Sequence, residues 1–243
     1  MTEKTFHQNA YLTQAKAVVI RHSPEGGVIL DQSIFYPTGG GQPGDGGKLE
    51  WLGNTLPVAT TMKGDDQEII LLPGAPEILP PVGTEVTQVL DWDRRFSHMQ
   101  VHTALHLLSV AVAMPVSGGS ISTGKGRLDF SMPEAVVDKK ALEAALNDMV
   151  VRDLSVHESW ISDAQLRADP GLVKTMSVAP PMGQGRIRLI AIGKDEQRID
   201  FQPCGGTHVA RTGEIGRLRV GKIQNKGRQN RRIYLHIDKK EAA

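Results

Sequence analysis

The sequence predicts an α+β protein in two parts: a small all-β domain, then a mixed domain of helices and antiparallel strands. Three observations predict this. Over the first ~90 residues only short apolar or alternating runs occur, separated by Gly/Pro clusters. From Asp91 the texture changes, and apolar residues recur at helical spacing at Val101, Leu105, Leu108 and Val112. Beyond them, helical and alternating segments are interleaved, the pattern of an α+β domain. The boundary is expected near residue 93, giving domains 1–93 and 94–243.

In the first part AKAVVI, GGVILD, KLEWL, EIILL and EVTQVL read as strands, and SPEGG, PTGGGQPGDGG and PGAPEILPPVG as the turns between them. Strands this short and this closely spaced close into a small barrel or a sandwich. In the second part DRRFSHMQVHTALHLLSVAVA reads as a helix, with a second helix at DKKALEAALNDMVVRD. DLSVHESWIS and RIRLIAIG follow as strands, and IDFQPCGGTHV as a strand running into a glycine turn. GRLRVGKIQNKGRQNRRIYLHI alternates like a hairpin around NKG.

The bulk numbers narrow the function classes. With 243 residues, 40% hydrophobic and 23% charged, the chain can bury a sizeable core. No basic start precedes a long apolar run and no window of 18 apolar residues occurs, so neither a signal peptide nor a membrane span is expected. A single cysteine, Cys204, permits no intrachain disulfide and suits a reducing cytoplasm. The net charge of +1 hides an asymmetry. Residues 1 to 93 carry 5 Lys/Arg against 12 Asp/Glu, while residues 94 to 243 carry 23 against 15. Eight basic residues and one acid, Glu214, fall within 211 to 232, which suggests either an anionic partner or a solvated charged face. Nothing in the sequence sets an oligomeric state.

The stretch HMQVHTALHLL spaces His98, His102 and His106 by four. Neighbours at that spacing stand one above the other on a helix, about 40° apart, so two imidazoles can reach one ion. His98 and His106 would lie two turns apart, so one adjacent pair holds an ion more easily than all three. A pair alone is more readily a pair of surface or satisfied core histidines. PCGGTH adds Cys204 and His208, and thiolate with imidazole is a standard zinc donor set. Two nitrogens from the helix, with one sulfur and one nitrogen from the turn, predict a zinc site. Ligand count leaves open whether that zinc is structural or catalytic.

FYPTGGGQPGDGG, residues 35 to 47, has six glycines in thirteen residues and can be neither a regular strand nor a helix. Such a loop lets backbone N–H groups approach a ligand closely. It lacks the Gly-Lys-Ser/Thr ending of a nucleotide-binding P-loop. Tyr36, Thr38 and Gln42 are polar groups of the kind that line a pocket for a small substrate.

HTALH and CGGTH, preceded by YPTGGGQPGD and followed by NKGRQNRRI, resemble the editing domain of alanyl-tRNA synthetase. They resemble still more closely the free-standing AlaX alanyl-tRNA editing proteins, over nearly the whole chain. The resemblance implies the medium-length free-standing form, with a glycine-motif β-barrel followed by an editing domain. It implies hydrolysis of tRNA(Ala) mischarged with serine, and in some members glycine, by an aminoacyl-tRNA deacylase in the cytoplasm. It implies zinc held by His102, His106, Cys204 and His208, with His98 outside the motif. Thr38, Gly39, Gly40 and Gln42 would contact the substrate, with Thr38 distinguishing serine from alanine. Lys226, Arg228, Arg231 and Arg232 would face the tRNA. Gln100 stands where many relatives carry an arginine, so no basic role is inherited there. Asp200 and His98 are candidate acids or bases near the motifs. The alternative is an RNA-binding module with a purely structural zinc.

Overall fold

In the computed structural model, which describes residues 1–132, 138–173 and 186–238, the chain divides into two units, Met1–Phe96 and Ser97–Ala243. The first is built on strands β1 (Glu3–Lys4), β2 (Gln14–His22), β3 (Val28–Leu30), β4 (Gln32–Ser33), β5 (Gly47–Trp51), β6 (Asn54–Val58), β7 (Thr60–Lys63), β8 (Ile69–Leu72) and β9 (Glu85–Leu90). A single helical turn, α1 (Thr5–Gln8), follows β1. Seven of these strands form one antiparallel sheet in the order β6-β5-β9-β2-β3-β8-β7. Its two edge strands are consecutive in sequence, separated only by Ala59, so the sheet is nearly closed. β1 and β4 form a short parallel pair beside it.

Alternation explains which face is buried. In β9, Val86, Gln88 and Leu90 point inward while the residues between them do not, as the pleat requires. Val86 and Leu90 join Ala17, Val19, Leu49, Trp51, Leu56, Val58, Ile69 and Leu71 in one core. β2 serves two partners, pairing with β9 over Gln14–Val18 and with β3 from Val19 onward, with a register irregularity between Val19 and Arg21. That irregularity lets one nine-residue strand turn between two neighbours.

The glycine-rich loop belongs to this unit, and its side chains hold it against the unit's own backbone. Asp45 accepts from the Tyr36 N–H at 2.6 Å and from Arg95 Nε at 2.9 Å. Arg95 also donates to the carbonyls of Ile34 and Ala10. Both side chains of this ion pair are buried. Removing one partner of such a pair costs about 3–5 kcal/mol, because the other charge is left buried alone. Gly44 is required by close approach: a Cβ there would lie 2.1 Å from the Thr61 carbonyl oxygen.

The second unit carries most of helix α2 (Trp92–Val112), then β10 (Val116–Ser122), β11 (Lys125–Ser131), α3 (Lys139–Val151), β12 (Val156–Ser162), α4 (Asp163–Ala168), β13 (Arg186–Ile192), β14 (Asp200–Pro203), β15 (Leu218–Asn225) and β16 (Asn230–Ile237). Two antiparallel sheets result: β10-β11-β16-β15 and β12-β13-β14. The expected hairpin is β15–β16, with Gly227 at a φ of 86° in its turn. Asp138 caps α3 by accepting from the N–H groups of Lys140 and Ala141. α3 buries Leu142, Leu146, Met149 and Val150, one stripe at helical spacing.

Helix α2 departs from the expected single apolar face. Every residue from Val101 to Ser109 is buried, its polar ones included. A helix surrounded on all sides must find partners for its buried polar groups, and here those groups are the histidines and the threonine of HTALH, with Ser109 beyond them. Among the described residues no helix is long and apolar enough to cross a membrane.

Candidate metal centre

Four side chains converge in the second unit. His102 and His106 stand one turn apart on α2, while Cys204 and His208 come from the turn that follows β14. Their donor atoms all lie within 4.8 Å of one another. Cys204 Sγ is 3.5 Å from His102 Nε2 and 3.3 Å from His208 Nε2. Zinc–nitrogen and zinc–sulfur bonds of about 2.0 and 2.3 Å at a tetrahedral angle imply a nitrogen–sulfur edge of about 3.5 Å. The two edges from Cys204 to His102 and His208 therefore match those of a tetrahedral zinc site, and His106 lies within 4.8 Å of the other donors. His98 lies one turn earlier on α2, also buried, and is not one of the four.

The neighbours of these donors prepare them for a cation. His106 Nδ1 donates to Asp200 Oδ2 at 2.8 Å, which leaves Nε2 facing the cluster. Gln202 donates to the same carboxylate oxygen at 2.8 Å and holds it in place. The Gly206 N–H donates to Cys204 Sγ at 3.4 Å. Burial would push the Cys204 thiol up, but the charge of His102 and hydrogen bonds from His102 and His106 outweigh it and hold the thiol well below its usual range. Burial and the His102 charge push His208 down to about 3, so this imidazole is neutral. Burial also opposes protonation of His106, yet its hydrogen bonds to Asp200 and Cys204 raise it to about 10. Without an ion the thiolate is thus paired with a protonated His106, which would give up its Nε2 proton on binding; thiolate and imidazole are donors that a soft divalent cation fits.

β14 and β13 set the position of the turn. The Cys204 N–H donates to the Arg188 carbonyl at 3.2 Å, continuing the pairing of those strands. The Arg188 guanidinium then donates to the carbonyls of Cys204 and Gly206 at 3.0 and 2.9 Å, and to Glu158 at 2.6 Å. Sequence reasoning missed Arg188, which reads as an ordinary polar residue of the alternating run RIRLIAIG. Asp200 stood out as a candidate acid or base; its contact with His106 makes it the group that orients a donor.

Two family models match the chain: the second additional domain of threonyl and alanyl tRNA synthetases at residues 187–234, and class II (A) tRNA synthetases at residues 4–94. The alanyl-tRNA editing protein AlaX-M of Methanosarcina acetivorans is 32% identical over 98% of this chain and 99% of its own length. The chain belongs to the AlaX-M family of alanyl-tRNA editing proteins. The AlaX-M of Methanosarcina mazei is 31% identical over 98% of the chain. The alanine–tRNA ligase of Pyrobaculum neutrophilum is 33% identical over 92% of the chain, which spans 25% of that ligase.

In this chain the other expected site residues lie in two places. Thr38, Gly39, Gly40 and Gln42 sit in the glycine loop of the first unit. The Thr38 hydroxyl donates to the Thr61 carbonyl at 3.2 Å and accepts from the Gly44 N–H at 2.9 Å. Gly39 and Gln42 exchange backbone hydrogen bonds at 3.0 Å, Gln42 is buried, and Gly40 has a φ of 57°. Lys226 and Arg228 stand exposed at the β15–β16 turn, with Arg231 and Arg232 on β16. Arg232 grips Asp129 of β11 through two bonds of 2.7 and 2.8 Å, so its charge is matched within the sheet. Gln100 donates to the carbonyls of Glu214 and Ile215 at 2.8 and 3.3 Å.

Proposed function

We propose that this chain removes wrongly attached amino acids from tRNA(Ala), chiefly serine and also glycine, as a trans-acting aminoacyl-tRNA deacylase of the cytoplasm. In this reading His102, His106, Cys204 and His208 hold zinc. The observation that carries it is the convergence of three imidazoles and one thiol within 4.8 Å of one another, in a chain that aligns end to end with AlaX-M proteins. An aminoacyl ester is already activated, so its hydrolysis needs chiefly a positioned water and support for the developing oxyanion. Zinc, when bound, supplies Lewis-acid polarisation at this point. The chain's own residues do the positioning. Asp200 keeps the His106 proton on Nδ1, and Arg188 fixes the carbonyls on either side of Gly205.

Specificity is assigned to the glycine loop, with the first unit read as the β-barrel that carries it. Once the Thr38 hydroxyl has donated to Thr61 and accepted from Gly44, one acceptor lone pair remains. The hydroxyl of a serine substrate would donate to it, and alanine has no such group. Gly39, Gly40 and Gln42 present backbone around that position. Binding of the tRNA phosphates is assigned to Lys226, Arg228, Arg231 and Arg232. Lys226 and Arg228 are the exposed members, and Arg232 holds the strand in register. The test is hydrolysis of Ser-, Gly- and Ala-tRNA(Ala) by purified protein of known metal content. Serine should be released much faster than alanine. Release of neither serine nor glycine above buffer would defeat the proposal.

One observation favours a second reading, an RNA-binding module with a structural zinc: four protein donors can close a tetrahedron and leave no open position. Cys204→Ala separates the two. Loss of fold together with the metal favours the module; a folded but inactive variant favours the deacylase.

A further inference from the structure

Thr103 lies between the two histidines of HTALH and is fully buried. Three groups meet its hydroxyl oxygen: the Met99 carbonyl at 2.9 Å, the Val209 N–H at 3.3 Å and His208 Nδ1 at 3.1 Å. A hydroxyl has one proton to donate and two lone pairs with which to accept. The Met99 carbonyl can only accept, so it takes the proton, a bond to the preceding turn that threonine commonly makes in helices. The Val209 N–H can only donate, and it fills one lone pair. All that remains for His208 is the second lone pair, so Nδ1 must carry a hydrogen. The imidazole then has a bare Nε2, and Nε2 is the atom 3.3 Å from Cys204 Sγ.

We infer that Thr103 is a positioning residue: its saturated hydroxyl presets His208 as the Nδ1–H tautomer and aims the Nε2 lone pair at the donor cluster. The arrangement differs from that of His106, whose partner Asp200 is a carboxylate and has no proton to give when ionised. At His208 the same result comes from counting protons at a neutral group. α2 thus supplies two donors of its own and also sets a third, which arrives from the turn after β14. Preset donors avoid reorganisation when an ion enters, and such outer partners typically contribute 10–100-fold to metal affinity.

The consequence for metal binding rests on the zinc reading above; the tautomer does not. A long-range proton–nitrogen spectrum of metal-free, ¹⁵N-labelled wild-type protein reads it directly, with His208 assigned by its loss in His208→Gln. His208 should show a protonated Nδ1; a bare Nδ1 would overturn the inference. Affinity for Zn²⁺, measured by competition with a chelator, should fall 10–100-fold in Thr103→Val and return in Thr103→Ser. Thr103→Val that binds Zn²⁺ as tightly as wild type would also overturn it. Should Thr103→Val not fold, the wild-type spectrum and that of Thr103→Ser decide the matter. Wild-type protein that takes up no Zn²⁺ would defeat the zinc reading while the spectrum still judged Thr103.

Discussion

Asp200 and Thr38 are the residues on which the account depends most sharply. Asp200 is buried, fixed by Gln202, and bonded to His106 Nδ1 at 2.8 Å. Asp200→Asn can present an N–H instead of an oxygen, which would turn the imidazole or break the bond. Zn²⁺ affinity should drop 10–100-fold, measured by chelator competition, with the far-UV circular dichroism unchanged. Thr38 has both a structural and a proposed functional contact. Thr38→Val removes the bonds to Thr61 and Gly44 and should lower stability by about 1–2 kcal/mol in urea unfolding. It should also narrow the ratio of kcat/KM for Ser-tRNA(Ala) over Ala-tRNA(Ala), because the valine offers serine no acceptor. An unchanged ratio would remove Thr38 from the site.

At the scale of elements, the legibility of the sequence followed the strength of each local pattern. α3 and the β15–β16 hairpin read correctly because α3 has an apolar stripe at helical spacing behind its Asp138 cap, and Gly227 marks the turn of the hairpin despite a register irregularity between Val220 and Ile223. β10, with sequence VSGGSIS, has no apolar alternation and is a strand through its pairing with β11. β6 and β7 escaped notice because Pro57 and the polar residues around it mask a strand whose inward side is only Leu56 and Val58. The four converging residues that could hold a metal were legible as two short motifs. Arg188 and Thr103 were not, since nothing local distinguishes a bracing arginine or a saturated hydroxyl from any other. The tie between β11 and β16 is a further contact of this kind. Burial pushes the Asp129 carboxyl up, but its bonds to Arg232 and Arg127 prevail and hold it below its ordinary 3.8. A depressed carboxylate stabilises the fold above its unfolded value and loses that contribution as the pH falls through the lower folded value. Asp129→Asn should therefore cost about 1–3 kcal/mol at neutral pH in urea unfolding, with the gap to wild type closing below about pH 3.8. A gap independent of pH would show that packing, not charge, holds these strands.

For the whole molecule, two units carry different tasks in the proposed function: the first holds a polar glycine loop, the second a buried donor cluster and an exposed basic turn. The cluster is where the chemistry is assigned, and a deacylase without its metal should be inert while still folded. Wild-type protein stripped by a chelator, then reloaded with a stoichiometric amount of Zn²⁺, tests this on one sample. The account predicts that serine release from Ser-tRNA(Ala) is lost on stripping and recovered on reloading, with circular dichroism unchanged throughout. Serine release that continues undiminished in the stripped protein would contradict it.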